Sequence, residues 1–361
     1  MQIPRLSNMT ISYFKIAMGL ILSAQISSAC GPSQSEGAEA AAVRKNEPLE
    51  AAGREVAAQE PATPVAAPAM DTVEYRKKLT YMLNGDSSGK WPAPGPAPKE
   101  GAILPFKRII AYYGNLYSTR MGILGELPKP QMFARLKEEV SKWEKADPQT
   151  PVQPALHYIA VTAQGSPGAA GKYRLRMPFK QIDTVLKWAE EINALVFLDI
   201  QVGLSTLQQE VPEFEEYFKK PNVHFGIDPE FSMKGGQKPG SVIGSFDAAD
   251  INYVIDYLSD IVRKHNLPPK VLVVHRFTQG MVTNYKAIKT TPEVQVVMHM
   301  DGWGEPAKKI NTYKTFIHRE PVQFTGFKLF YKNDLKRAPN RLMTPDDLMK
   351  LKPMPVYIQY Q

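Results

Sequence analysis

Asp228 and Glu230, separated by Pro229 in the run N-V-H-F-G-I-D-P-E-F (222–231), are the residues whose spacing points most directly to chemistry. Val223 to Ile227 form a short apolar run, and in a β-strand positions i and i+2 face the same side, so the two carboxyl groups project together from its end. The proline between them lacks a backbone donor, which strands tolerate at their ends. Carboxyl groups held close push one another's pKa apart, which keeps a proton available near neutrality for acid catalysis. The same residues also suit a plain strand-to-loop turn in which Asp228 caps backbone amides.

Other polar groups recur at the ends of apolar runs. Asp199 and Gln201 close one, His275 another, and His299 and Asp301 a third; Tyr113 and Tyr331 end two more. Asp199 is expected beside Asp228, and Asp301 across from Glu230. Two acids facing each other over a sugar-sized gap are the working parts of glycoside hydrolysis. In that reading Glu230 is the general acid, Asp228 and Asp199 set its protonation, and Asp301 is base or nucleophile. Gln201, His275, His299 and Tyr331 bind substrate, Tyr113, Trp303 and Phe231 stack on sugar rings, and no cofactor or metal is required. One alternative is a metal-dependent hydrolase with His275, His299, Asp301 and Asp228 as ligands, although no H-x-H or H-E-x-x-H pattern accompanies them. Another is a barrel that binds a glycan or cell-wall polymer without cleaving it. Lys328 as a Schiff-base lysine ranks below these, its parity being opposite to Phe327, Leu329 and Tyr331.

The elements that must position these groups alternate from about Leu104 onward. Strands are predicted at Arg108–Tyr113, Leu156–Thr162, Leu195–Ile200, Val223–Ile227, Val271–His275, Gln295–Met300, Gly326–Phe330 and Val356–Gln359. Most are continuous apolar runs, as in a parallel sheet covered on both faces. Helices are predicted between them, most clearly at Phe179–Ile192 and Ala248–His265, with further ones at Pro128–Ala146, Ser205–Lys219, Asn284–Lys289, Glu305–His318 and Thr344–Lys350. Eight strands with seven helices between them predict an α/β fold, a (β/α)8 TIM barrel over 104–361 that lacks the last helix. Segments after strands are long and polar, such as 163–177 and 232–246, while returns such as 266–270 are short. That asymmetry is the one expected when the loops at the C-terminal ends of strands build a site.

On the D-P-E run ending the fourth strand, the sequence resembles the end of the chitinase-type (family 18) glycoside hydrolase motif. The resemblance implies that Glu230 is the acid and that Asp228 orients the substrate's N-acetyl group. Gly226 and Val223-His224 depart from the earlier part of that motif. The signatures L-D-I-Q-V-G, G-I-D-P-E-F, V-V-H-R-F, M-D-G-W-G and G-F-K-L-F-Y resemble secreted bacterial lipoproteins to which no activity is assigned.

The N-terminus reads as an address. Arg5 and Lys15, an apolar stretch from Ile16 to Leu22 and the small residues Ser27-Ser28-Ala29 precede Cys30, the one cysteine of the chain. Residues 1–29 are predicted to be a lipoprotein signal peptide, too short to span a bilayer, and Cys30 its lipidation site. That places the protein in the cell envelope, anchored to the membrane on the periplasmic or outer face. Residues 30–103 read as an Ala/Glu/Pro-rich tether with a helix at 71–84. The formal net charge of +8 is spread along the chain. With no nucleic-acid-binding motif beside it, this charge gives no nucleic-acid footprint.

Overall fold

The computed structural model describes residues 70–361; the expected signal peptide and lipidation site at Cys30 and most of the expected tether lie outside the described residues. Eight parallel strands close into a barrel: β1 (Arg108–Gly114), β2 (Val152–Ala163), β3 (Leu195–Ile200), β4 (Val223–Ile227), β5 (Lys270–Arg276), β6 (Val294–Met300), β7 (Phe324–Leu329) and β8 (Tyr357–Tyr360). Each pairs with its neighbours in chain order, and β1 pairs with both β2 and β8, so the sheet has no free edge. The expected adjacency of β4 and β5 is present, with Gly226 opposite Val273. A short strand, Arg174–Arg176, adds antiparallel to the end of β2.

Helices wrap the outside because their apolar stripes match the outward side chains of the strands. In Phe179–Glu191 the buried residues are Ile182, Val185, Leu186 and Ala189, spaced three and four apart, the period of one helix face. In Ala248–Lys264 the start is fixed by a capping box between Asp247 and Asp250. Three crossovers differ from the expected helices. Residues 205–219 break into Leu207–Glu210, a tight turn at Val211–Phe214 and Glu215–Phe218, where Pro212 cannot supply the amide a continuous helix needs. The expected helix at 284–289 is a single turn, Tyr285–Ala287. The expected helix at 344–350 is only Pro345–Leu348.

Residues 70–107 close the N-terminal end of the barrel. Asp71 caps the helix Thr72–Leu83 by accepting from the amides of Val73 and Glu74. Tyr75 and Met82 from this helix, with Leu104, join Ile109, Phe197, Val271 and Val297 in one buried apolar cluster inside the barrel. Gln295 seals the plug: its Oε1 accepts from the amides of Ile103 and Leu104, and its Nε2 donates to the Leu104 carbonyl. The compact body therefore begins well before the boundary at 104 expected from composition.

Beside the plug, Arg108 Nη1 donates to Asp147 Oδ2 at 2.7 Å, and Tyr81 donates to the other oxygen at 2.8 Å. Arg108 is fully buried and also lies 5.0 Å over the Trp143 ring. Removing one partner of such a pair leaves an unpaired charge in a low-dielectric interior. Asp147→Ala is expected to cost about 3–5 kcal/mol in urea unfolding with the slope m unchanged; a loss within about 0.5 kcal/mol would show that the pair does not hold the plug.

Candidate active site

Inside the barrel the lower positions are mostly apolar, with His224 and Gln295 among them, and the upper ones polar. The inward positions of β2, β3, β5, β6, β7 and β8 carry His157, Asp199, His275, His299, Lys328 and Gln359, all buried. Register stacks them: His275 stands opposite His299, Gly226 opposite Asp199, Gly326 opposite His299. The glycines are needed for space. A Cβ at 226 would come within 2.4 Å of Asp199 Oδ1 and 2.6 Å of His157 Nε2, and one at 326 within 2.5 Å of His299 Nδ1.

Above this layer sit the strand-end carboxyl groups. Asp228 ends β4 and accepts from the Glu230 amide through Oδ1 at 3.0 Å, which folds Pro229–Phe231 into a tight turn. Its Oδ2 accepts from Gln201 Nε2 at 3.3 Å, and Gln201 Oε1 accepts from the Ala163 amide. Asp228 is thus both cap and site neighbour. Glu230 is half-buried. Asp301 follows β6 and is clamped: His275 Nδ1 lies 2.7 Å from its Oδ2 and Lys328 Nζ 3.0 Å from its Oδ1. Lys328 Nζ also stands 3.9 Å over the Tyr113 ring, and Tyr113 donates to Asp199 Oδ2 at 2.8 Å.

The four carboxyl groups divide into two charge states. Burial, then the negative charges of Asp228 and Asp301, push Glu230 up to about 8. Burial also drives Asp228 up to about 7; there Asp301 and Asp199 add repulsion that His275 partly offsets. Asp301 is buried too, yet Lys328 and His275 hold it below the usual carboxylate range. Asp199 is likewise held well down against burial, chiefly by His275, with His157 adding to it. Burial alone would lower His275, but Asp199 and Asp301 raise it to about 10. Near neutrality Asp199 and Asp301 are ionised, Glu230 holds its proton and Asp228 is close to its midpoint.

The expected residues are partly assembled. Gln201, Asp228, Glu230 and Asp301 lie at the strand ends, and Asp199 and His275 lie in the buried layer just beneath, with His275 bonded to Asp301 above it. Tyr113 is there too, but it is buried against Lys328 and Asp199 and presents no open ring face. Trp303 lies on the loop after β6, 37% exposed, with Lys308 and Lys336 over its ring. His299 lies below the mouth, fully buried, with neither ring nitrogen hydrogen-bonded; burial holds it well below the ordinary histidine range, so it is neutral. Tyr331 is a correction: it faces the outer layer, bonded to Tyr112 and Glu139, stacked on Tyr360 and covered by Arg135. Outward parity from β7 takes it away from the mouth, whereas Lys328 points in.

His157 went unrecognised as a site residue, and Lys328 entered only as a low-ranked Schiff-base lysine. Their signal was a single ionisable side chain inside an otherwise apolar strand run, a rare placement for groups that avoid full burial. The ligand set of the metal alternative is also corrected. Among the described residues the one group of three with donor atoms within 4.8 Å of one another is His157, Asp199 and His275, without His299, Asp301 or Asp228. A concavity of about 570 Å³ on the loop after β5, lined by Gln279, Tyr285 and Glu320, includes none of the strand-end carboxyl groups.

No protein family and no curated protein matches the chain. Among solved structures it is similar to the cellulase Cel5C_n at 11% identity and TM-score 0.36, over 61% of this chain and 65% of that one. It is similar to Thermotoga maritima Cel5A in complex with cellobiose at 11% identity and TM-score 0.37, over 70% and 88%. Burkholderia cenocepacia dihydropteroate synthase gives 8% identity and TM-score 0.32, over 71% and 86%. The barrel itself is established by its strand pairing.

The raised carboxyl groups have a consequence for stability. Glu230 lies above its ordinary 4.5 and Asp228 above 3.8, so the folded chain binds more protons than the unfolded one between these values and about 8. Their contribution is complete below the unfolded pKa values and is lost as pH rises through about 7–8. Glu230→Gln removes that loss, so its Tm relative to wild type is expected to be about 2–4 °C higher at pH 9 than at pH 5. An unchanged difference between the two pH values would show that Glu230 ionises normally.

Proposed function

We propose that this barrel is a glycan-acting hydrolase of the cell envelope in which Glu230 supplies the proton for cleavage. The observation that carries the reading is a raised, half-buried carboxyl at the barrel mouth sharing its field with Asp301, which two cations keep ionised. One acid that holds its proton near neutrality and one that does not is the division of labour glycoside cleavage requires. Glu230 gives its proton to the glycosidic oxygen as the C–O bond breaks, and the bonding electrons leave with that oxygen. Asp301 acts from the opposite side, as base towards water or as nucleophile towards the sugar carbon. Asp228 keeps the Glu230 amide fixed and adds the negative charge that retains the proton. Gln201 holds Asp228 in turn, and His275 and Lys328 orient Asp301.

Labelled peptidoglycan and chitin-like oligomers are the substrates with which to test this. Glu230→Gln keeps the shape and removes the acid, so hydrolysis is expected to fall about 10²–10⁴-fold while binding persists. In wild type, kcat/KM is expected to decline as pH rises through about 8, the point at which Glu230 loses its proton. Full activity in the variant would end the assignment, as would co-sedimentation with these polymers without any cleavage by wild type.

Cys30 in this proposal carries the lipid that attaches the barrel to the membrane. Cys30→Ser is expected to move the exported protein from the membrane to the soluble fraction, because acyl chains supply the membrane affinity. Soluble wild type and soluble variant alike would exclude the anchor.

A further inference from the structure

We infer that the barrel interior contains a divalent-cation site formed by His157 Nε2, Asp199 Oδ1 and His275 Nε2. The three donor atoms lie within 4.8 Å of one another. Asp199 Oδ1 stands 3.4 Å from His157 Nε2 and 3.5 Å from His275 Nε2. These separations are beyond ordinary hydrogen bonds. They match the ~3.4 Å between donors that sit about 2.0–2.2 Å from a tetrahedral ion. All three atoms are without a hydrogen-bond partner, on side chains that are fully buried. Leaving three such atoms pointed at one another is costly unless something satisfies them together.

The far end of each candidate ligand is held. His275 Nδ1 is bound to Asp301 Oδ2 at 2.7 Å. His157 Nδ1 meets the Tyr357 hydroxyl at 2.5 Å, which can accept its N–H when Nε2 is the ligand. Asp199 Oδ2 accepts from the Tyr113 hydroxyl. Metal-binding histidines are commonly oriented in this way by a carboxylate or another polar group on the second nitrogen. The missing side chain at Gly226 leaves room in front of Asp199 Oδ1 and His157 Nε2, where a Cβ would otherwise sit at 2.4 and 2.6 Å. Lys328, a cation of the same layer, is engaged by the other oxygen of Asp301.

Two imidazoles and one carboxylate favour a zinc-type ion over calcium or magnesium, which prefer all-oxygen shells. Three protein ligands leave a fourth position for water. The site lies beneath the Glu230 layer and does not rest on the hydrolase reading. Its competitor is the His275 imidazolium, whose second proton would sit on Nε2 and bridge to Asp199 with no ion; a bound ion takes that proton's place and leaves the Nδ1–H on Asp301.

The test uses the full chain carrying Cys30→Ser, produced with added zinc, desalted and analysed for metal by mass spectrometry. About one zinc per chain is expected, and Asp199→Asn is expected to lose it. Tyr113→Phe, a smaller change that removes only the hydroxyl, is expected to weaken Co2+ affinity about 10-fold or more, read from the visible absorption of four-coordinate cobalt. A folded wild-type chain that retains no zinc, cobalt or nickel overturns the site. So does a folded Asp199→Asn variant that keeps a full equivalent, or a Tyr113→Phe variant with unaltered cobalt affinity.

Discussion

The clamp on Asp301 is the interaction on which the upper barrel depends. Lys328 and His275 grip its two oxygens, and on the far side of His275 lies Asp199, which His157 also faces. This chain of alternating charge crosses the barrel on buried side chains. Buried charges persist only when paired, because their separate desolvation costs several kcal/mol each. With its cations committed to Asp301 and Asp199, the chain leaves little positive charge for Asp228 and Glu230. Their protonation near neutrality is therefore a property of the whole layer.

The layer exists because the barrel is divided by depth. The Thr72–Leu83 helix and Leu104 fill the bottom with apolar side chains, and Gln295 satisfies the backbone there. That plug supplies the close packing a barrel needs and frees the upper positions from having to be apolar. Space for the histidines then comes from Gly226 and Gly326, whose missing side chains admit rings and carboxylates at distances no Cβ would permit. A glycine inside a strand weakens it by its own entropy. Here each one accommodates a neighbour from the adjoining strand.

Most strand positions were legible in the sequence because a parallel strand covered on both faces is a continuous apolar run. The same property hid which way each residue points. A run without alternation carries no face information, so parity relative to the barrel axis was unmarked for Lys328, and Tyr331 was assigned to the mouth although it packs outward on Tyr360. The D-P-E turn was legible because its carboxyl groups lie beyond the apolar run. His157 was hidden within one, on a strand whose pairing with β3 shifts register between Ile159 and Val161. Composition misled at 70–103, where alanine, glutamate and proline suggested a tether around one helix; the helix is present at Thr72–Leu83, and a few apolar residues, Tyr75, Met82 and Trp91, suffice to dock the segment.

Buried ion pairs elsewhere show what a purely structural arrangement looks like in this fold. Lys309 donates both to Asp334 and to the Lys328 carbonyl, and Asp334 accepts in addition from the amides of Gly304 and Phe330. Arg276 is bound to the carbonyls of Phe316, Gln279 and Val282. Those cations have several partners each, as expected where a polar group is kept to hold loops in place. The central layer is different: His157 Nε2, His275 Nε2, both nitrogens of His299 and Asp199 Oδ1 are left without hydrogen bonds. A layer retained for stability alone would be better replaced by apolar side chains of similar volume, which often match or exceed a buried ion pair. Incomplete satisfaction in the interior, beside completed pairs in the outer layer, is the pattern expected of groups kept for what they bind or transfer.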